Sequence, residues 1–142
     1  LVREQISVAY GTGMSFSQES LEPRGHAIEC RINAERLPNF SPSPGNIKEF
    51  HSPGGIGIRM DSAIYNGFTV PPHYDSLIGK LIVHADNRPM AIRRLSRALD
   101  ELIIDGVYTT VELFKEILTE DNFKSGEYNI HWLENFLKKQ EK

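Results

Sequence analysis

Arg31 is the residue of this sequence whose type and setting best fit a chemical task. It lies in residues 26–34, where polar and apolar residues alternate: Glu29, Arg31 and Asn33 against Ile28, Cys30 and Ile32. This period of two predicts a half-buried strand with the guanidinium on its polar face. A guanidinium flanked by hydrogen-bonding groups on a rigid strand is well placed to bind an oxyanion. The alternative is a solvated sheet face on which Arg31 forms a local ion pair.

A second set of candidates lies in residues 70–80. Pro71 and Pro72 restrict the approach to a predicted strand and place Asp75 near its start. A carboxylate at a strand end can orient an arginine or cap a turn, and the sequence leaves both interpretations open. Lys80 stands in an otherwise apolar run, which is also compatible with an edge or inner-face lysine that extends its ammonium to water.

The sequence does not support several other kinds of site. The glycines near Gly45 and in residues 54–57 lack the lysine and the following helix of a phosphate-binding loop. The 5 histidines form no ligand pair four residues apart, so we predict no metal site. No serine lies in a nucleophile elbow, and no catalytic signature surrounds Cys30.

The elements that must position these residues begin with strands. Short β-prone segments are predicted at residues 47–50, 56–60 and 68–70, and a longer apolar strand at residues 77–84. Asn66-Gly67 predicts a tight hairpin turn. The proline-rich segment 37–45 is predicted to be a fixed loop that Phe40 anchors in the core.

Helical patterns lie mostly after the strands. A helix is predicted from Pro89, with an apolar stripe that ends before Gly106 and consists of Ile92, Leu95, Leu99 and Ile103. Thr109 and Glu112 predict a capping box for the next helix, and residues 132–137 predict a last one. Strands followed by helices indicate an α+β fold with an antiparallel sheet.

Composition and charge narrow the classes of function. The chain has 142 residues, 39% hydrophobic and 25% charged, so we expect one domain over residues 1–142. The formal net charge is −3, and 16 basic residues are scattered among 19 acidic ones, which argues against nucleic acid as a partner. No apolar run approaches the roughly 18 residues that span a bilayer, so we expect no membrane partner.

Two further features concern the cellular compartment and whether the chain is part of a longer protein. Cys30 is the single cysteine, which excludes an internal disulfide and suits a reducing compartment. The first residues lack a signal-peptide pattern, so we expect the cytoplasm. Residues 1–10 have apolar residues at helical spacing before Gly11, but neither an N-cap nor an initiator methionine precedes them. This suggests a fragment of a longer protein.

Several motifs together resemble the C-terminal domain of biotin carboxylases. They are Glu29-Cys30-Arg31-Ile32-Asn33 within residues 24–35, Ser43-Pro44-Gly45, residues 51–55, Tyr74-Asp75-Ser76-Leu77-Ile78-Gly79-Lys80, residues 100–106 and Asn129-Ile130-His131. The motifs are long, occur in the family's order and spacing, and cover nearly the whole chain. The resemblance implies the α+β fold of that domain.

The resemblance also implies a reaction. In that family ATP and bicarbonate form carboxyphosphate, which carboxylates biotin attached to a carrier protein, and the metal is Mg²⁺ or Mn²⁺. The arginine that corresponds to Arg31 contacts the ureido oxygen of biotin and stabilises its enolate. The nucleotide, metal and bicarbonate ligands of the family precede the matched region, so the isolated chain is expected to be inactive.

Further roles follow from the same resemblance. It places Ile130 at the edge of the adenine pocket, Asp75 near the biotin site, and Arg59 and Glu101 at a homodimer interface. The implied partners are the biotin carboxyl carrier protein and a carboxyltransferase component. Acetyl-CoA carboxylase of fatty acid synthesis is the expected setting, with pyruvate or propionyl-CoA carboxylase as an alternative. A non-catalytic module for dimerisation and assembly is the alternative of a different class.

Overall fold

The computed structural model describes residues 1–140 and contains, within that range, five α-helices and nine strands. The helices are α1 (Val2–Tyr10), α2 (Arg88–Glu101), α3 (Val111–Ile117), α4 (Asp121–Ser125) and α5 (Trp132–Gln140). The strands are β1 (His26–Asn33), β2 (Glu35–Arg36), β3 (Ser41–Pro42), β4 (Gly45–Asn46), β5 (Glu49–His51), β6 (Ile58–Ser62), β7 (Thr69–Val70), β8 (Leu77–Ala85) and β9 (Ile103–Asp105). Each strand pairing in this range is antiparallel, which confirms the α+β fold.

The main sheet has three strands in the order β1, β8, β6. In the central strand, Leu81 and Val83 are fully buried. Cys30 and Ile32 of β1 are buried in the same core, whereas Arg31 between them is exposed. The predicted strands at residues 26–34 and 77–84 are therefore confirmed, together with the side of β1 that faces the core.

α2 covers the inner face of this sheet. The Asn87 side chain caps the helix by accepting a hydrogen bond of 3.0 Å from the backbone N–H of Met90, and Pro89 lies in the first turn. One side of α2 is buried in the core, through Ala91, Ile92, Leu95, Ala98 and Leu99. Most of the predicted apolar stripe is therefore confirmed.

The prediction that this helix continues towards Gly106 is wrong. α2 ends at Glu101, and Ile103 is 42% exposed in β9, which pairs with β5. Ile104 pairs with Phe50, and both side chains pack against the core. β-Branched residues favour strand geometry, and pairing with a strand distant in sequence outweighs the helical spacing of Ile103.

The predicted hairpin at Asn66-Gly67 is also wrong. The turn itself forms, with Gly67 at φ 90°, but the strands on either side do not pair with each other. β6 pairs with β8, and β7 pairs with β4. The Asn66 side chain instead accepts a hydrogen bond of 2.7 Å from the backbone N–H of Phe50, which connects the turn to β5.

The helices after β9 enclose a second apolar cluster. Leu113, Ile117 and Phe136 are buried in it, and Phe40 packs against it, which confirms that Phe40 anchors the segment at residues 37–45. That segment also contains β3, which pairs with β2. Within residues 1–140, no helix combines the length and the apolar character needed to cross a membrane.

The predicted capping box of Thr109 and Glu112 is wrong. Thr110 is the N-cap of α3, and its side chain makes no capping hydrogen bond. Its buried hydroxyl instead accepts a hydrogen bond from the backbone N–H of Asn33 and donates one to the carbonyl of Arg31. The loop before α3 is therefore attached to the edge of β1 at the segment that carries Arg31.

Candidate functional site

The outer face of the main sheet presents Arg31 beside other charged residues. The antiparallel register places Arg31 opposite Lys80 of β8, and Lys80 opposite Asp61 of β6. Residues directly opposite each other in an antiparallel pair project to the same face, with Cβ atoms about 5 Å apart. Arg31, Lys80 and Asp61 therefore form one row across all three strands.

The Arg31 guanidinium is exposed and makes no hydrogen bond or ion pair with any of the residues that the structure describes. The local ion pair considered as an alternative is therefore not formed in residues 1–140. The backbone of Arg31 is held on both sides, by β8 and by the Thr110 hydroxyl. The strand fixes the backbone of Arg31, and its free guanidinium offers a planar set of donors to an oxyanion.

Lys80 is neither an edge residue nor an inner-face residue. It lies in the middle of the central strand, between the buried residues Gly79 and Leu81, and its side chain is half-buried on the outer face. The nearby carboxylate of Asp61 is paired with Arg59, at 3.2 Å between Nε and Oδ1. The edge and inner-face interpretations of Lys80 are therefore both wrong.

Asp75 performs the capping role that the sequence left open. Its Oδ1 accepts a hydrogen bond of 2.8 Å from the backbone N–H of Leu77 at the start of β8. Asp75 also lines a cleft of about 410 Å³, together with Tyr74, Lys80 and Asp61. Asp75 and Lys80, the cross-strand neighbour of Arg31, thus line the same cleft.

A polar cluster supports the end of β1 next to this cleft. The Asn33 side-chain amide donates to Glu35 Oε1 at 3.0 Å and to Ser76 Oγ at 3.2 Å, and the Ser76 hydroxyl donates to the same Glu35 oxygen. The Oδ1 atom of Asn33 is buried without a hydrogen-bond partner among the described residues. The cluster joins β1, β2 and the residue that follows Asp75.

The other residues predicted from the resemblance lie on separate elements. Arg59 is on the outer face of β6, in the row next to that of Arg31. Glu101 ends α2, where its carboxylate is 2.7 Å from Arg97 and 3.8 Å from His51. Ile130 lies between α4 and α5 and is 89% exposed. Arg59 and Glu101 are not paired with each other within residues 1–140.

Sequence reasoning did not identify the contacts of Arg88, which tie three elements together. Its guanidinium donates to the carbonyls of Phe123 and Lys124 and lies 3.2 Å from His26 Nε2. It also stacks over the Phe123 ring, 4.8 Å from the centroid. The position of Arg88 immediately before Pro89 marks only a helix start, because these contacts depend on residues far away in sequence.

The inner face beside Arg31 contains Cys30, whose environment is apolar. Burial raises the pKa of the Cys30 thiol to about 12, and the Glu29 carboxylate contributes in the same direction. A thiol with such a high pKa is neutral and unreactive at physiological pH. Cys30 is therefore a packing residue and not a nucleophile.

Comparison with known proteins gives consistent matches. A family model described as the biotin carboxylase C-terminal domain matches residues 29–135. The biotin carboxylase of Haemophilus influenzae is 54% identical over 137 residues, which are 96% of this chain and 31% of that protein. A pyruvate carboxylase component from Methanothermobacter thermautotrophicus is 50% identical over 137 residues, which are 96% of this chain and 28% of that protein.

A solved structure matches at the level of the fold. It is the biotin carboxylase domain dimer of the Hydrogenobacter thermophilus 2-oxoglutarate carboxylase, in complex with MgADP, ADP and bicarbonate. Its TM-score is 0.86 at 42% identity, covering 92% of this chain and 29% of that one. The chain thus spans about 30% of the length of these relatives.

Proposed function

The chain belongs to the family of biotin carboxylase C-terminal domains, and on this premise we propose that residues 1–142 form one domain of a longer biotin carboxylase. The longer protein is an ATP-dependent ligase that uses bicarbonate to carboxylate biotin attached to a carrier protein. Support comes from the extent of the match, because the chain corresponds to less than a third of the H. influenzae enzyme. Domains outside this chain would bind the nucleotide.

Arg31 is the residue to which we assign the biotin contact. Its guanidinium would donate hydrogen bonds to the ureido oxygen and stabilise the negative charge that develops there on deprotonation. The observation that carries this assignment is the exposed guanidinium on a three-stranded sheet, free of any partner among residues 1–140. Asp75 would border the same site across the cleft that it shares with Lys80.

The metal ligands of the longer enzyme are proposed to lie outside this chain. Among residues 1–140, no three His, Cys, Asp or Glu side chains are grouped so that they could hold a metal ion. The Mg²⁺ or Mn²⁺ that accompanies ATP would therefore be held by other domains, as would most of the nucleotide. Ile130, which is well exposed, would contribute only an apolar edge to the adenine pocket.

A role in dimer assembly is proposed for the surface around Ile56, Arg59 and Glu101. Ile56 is 93% exposed two residues before β6, where it is available to a partner surface. Arg59 lies on the same strand region, and Glu101 offers a charge at the end of α2. We propose that this surface forms a homodimer, in line with the dimer of the 2-oxoglutarate carboxylase relative.

The molecule that finally accepts the carboxyl group is proposed at a finer level. We assign the chain to an acetyl-CoA carboxylase of fatty acid synthesis in the cytoplasm, acting with a biotin carboxyl carrier protein and a carboxyltransferase component. The pyruvate carboxylase relative favours the alternative that the final acceptor is pyruvate. Purifying the native complex and assaying transfer to acetyl-CoA, propionyl-CoA and pyruvate decides between the two, because the complex will carboxylate its own acceptor far faster.

The experiment that tests the function is Arg31→Ala in the intact enzyme. We expect biotin carboxylation to fall by roughly a hundredfold or more, because one preorganised oxyanion donor is typically worth about 3 to 4 kcal/mol in the transition state. Bicarbonate-dependent ATP hydrolysis without biotin should largely survive. Arg31→Lys should restore only part of the rate, because the charge is kept but the planar set of donors is lost.

Two results would contradict the proposal. Equal losses in both assays at an unchanged melting temperature would mean that Arg31 acts in the nucleotide step. Near-normal activity in both assays would mean that Arg31 is a surface residue without a catalytic role.

The proposal that other domains bind the nucleotide has a separate test, in which the isolated chain of residues 1–142 is assayed for biotin-dependent ATP hydrolysis. We expect none, and measurable turnover would show that this domain binds the nucleotide by itself.

A further inference from the structure

Two positively charged side chains, Arg31 and Lys80, project from the outer face of the main sheet. Arg31 of β1 and Lys80 of β8 are directly opposite in the antiparallel register, so their side chains leave the same face about 5 Å apart. β8 is the central strand, which holds Lys80 between two paired neighbours. Backbone pairing, and not a flexible loop, therefore fixes the relative position of the two Cβ atoms.

Neither cation has an acidic partner within residues 1–140. Asp61, which completes the row, is bound to Arg59, and Lys80 forms no ion pair within 4.0 Å in that range. Glu29 lies on the same face of β1, but its cross-strand neighbour is Ile82. Two positive charges are thus side by side, and the carboxylate directly opposite Lys80 on its other side, that of Asp61, pairs with Arg59.

Such an arrangement lowers the stability of the sheet unless something else compensates for it. Like charges directly opposite each other in an antiparallel pair destabilise it, and an apolar or acidic residue at position 80 would remove the repulsion. An oxyanion between the two side chains would provide the compensation. Lys80 also lines the cleft of about 410 Å³, whereas Arg31 is not among its lining residues, so the anion would lie at the edge of that cleft.

We infer that Arg31 and Lys80 together form a two-cation oxyanion site, in which the Lys80 ammonium is a second direct contact to the anion. The inference rests on the proposed function and adds Lys80 to it. The guanidinium supplies a planar set of donors that orients the anion, whereas the ammonium supplies a compact charge. Asp61 and Arg59, which pair with each other, leave the Lys80 charge available to the ligand.

Two sources of the anion share this chemistry. One is bicarbonate, or the phosphate derived from ATP, and the other is the negative charge that develops on the ureido oxygen of biotin. The kinetic constants separate them. A higher KM for bicarbonate at constant kcat identifies a bound substrate anion, and a lower kcat at constant KM identifies the charge on biotin. Either result supports a Lys80 contact.

The test compares Lys80→Met with the wild type in the intact enzyme. Methionine keeps most of the aliphatic stem of lysine and removes the charge. We expect kcat/KM for biotin carboxylation to fall at least about tenfold, with Lys80→Arg retaining more activity than Lys80→Met. Lys48→Met is the matched control, because Lys48 is an exposed lysine on a different part of the chain, and it should behave as the wild type.

The melting temperature of Lys80→Met distinguishes a ligand contact from a structural role, because the two roles predict changes in opposite directions. Removing a repelled charge should leave the melting temperature of Lys80→Met unchanged or raise it, whereas loss of a stabilising ion pair would lower it. Inorganic phosphate at millimolar concentration should raise the melting temperature of the wild type more than that of Lys80→Met. If Lys80→Met does not fold, Lys80→Gln takes its place in both measurements.

The outcomes separate this inference from the proposed function. If the wild type does not carboxylate biotin, the proposed function itself is wrong. If the wild type is active and Arg31→Ala is impaired, but Lys80→Met matches Lys48→Met in both kinetic constants, only the two-cation site is wrong. A lower melting temperature with equal losses in biotin carboxylation and ATP hydrolysis would make Lys80 a structural residue and also overturn it.

Discussion

The two faces of the main sheet are built from the same three strands and have opposite character. On the inner face, Ile32, Leu81 and Val83 have no exposed surface and pack against α2. On the outer face, Arg31 is exposed and Lys80 is half-buried next to it. The inner face therefore provides most of the stabilising burial of the sheet, and the outer face provides the charges.

This contrast arises from the two-residue period of a strand. Cys30 and Arg31 are consecutive in sequence, yet one side chain is in the core and the other is on the surface. The rigid inner face fixes the strand positions from which the outer side chains project. We therefore expect substitutions on the inner face to change stability and those on the outer face to change activity or assembly.

The largest expected difference between the two faces is in the free energy of unfolding of Leu81→Ala and Arg31→Ala. Leu81 is 0% exposed, so its truncation should lower the free energy of unfolding by about 2 to 5 kcal/mol through lost burial and a new cavity. Arg31→Ala leaves no cavity in the core and should change it by less than about 0.5 kcal/mol. Urea unfolding followed by circular dichroism measures both. Comparable losses of unfolding free energy in the two variants would mean that the outer face contributes to stability as much as the inner face does.

Local sequence patterns predicted the strands of this sheet but not their register. Alternation of apolar and polar residues placed Arg31 on the outer face correctly, because that choice depends only on neighbouring residues. The position of Lys80 on the central strand depends on which strands pair, and β1 and β8 are far apart in sequence. For the same reason the edge and inner-face interpretations of Lys80 were wrong.

The errors at element ends have a common physical cause. Ile103 continues the helical spacing of α2, but pairing between β9 and β5 takes it into a strand. Thr109 and Glu112 match a capping box, yet it is the neighbouring Thr110 that takes the N-cap position, and its hydroxyl bonds to β1 instead of capping α3. In each case a contact with a remote strand outweighs a local preference.

A smaller effect is expected at the proposed assembly surface, which combines Arg59 of the outer face with Glu101 at the end of α2. Arg59→Glu or Glu101→Lys in the intact enzyme should weaken dimerisation by about 1 to 3 kcal/mol, because reversing one charge leaves its partner without compensation. Sedimentation velocity over a range of concentrations measures the change, and Lys48→Glu, which changes the net charge by the same amount as Arg59→Glu, is the control for that variant. Dimerisation equal to that of the wild type in both variants would remove Arg59 and Glu101 from the interface.

The smallest effect, on the inner face, concerns Cys30 and pH. Burial and the Glu29 carboxylate raise the pKa of its thiol from 9.0 to about 12 in the folded state, so the unfolded state loses this proton first as pH rises. The free energy of unfolding should therefore fall between about pH 9 and pH 12, by roughly 1 kcal/mol at pH 10 from this group alone. Cys30→Ala starts from a lower stability but should lack this contribution, so the difference between the two proteins should shrink from pH 8 to pH 10. Urea unfolding at both pH values measures it, and a constant difference would mean that Cys30 is open to solvent and that the inner face is not dry beside Arg31.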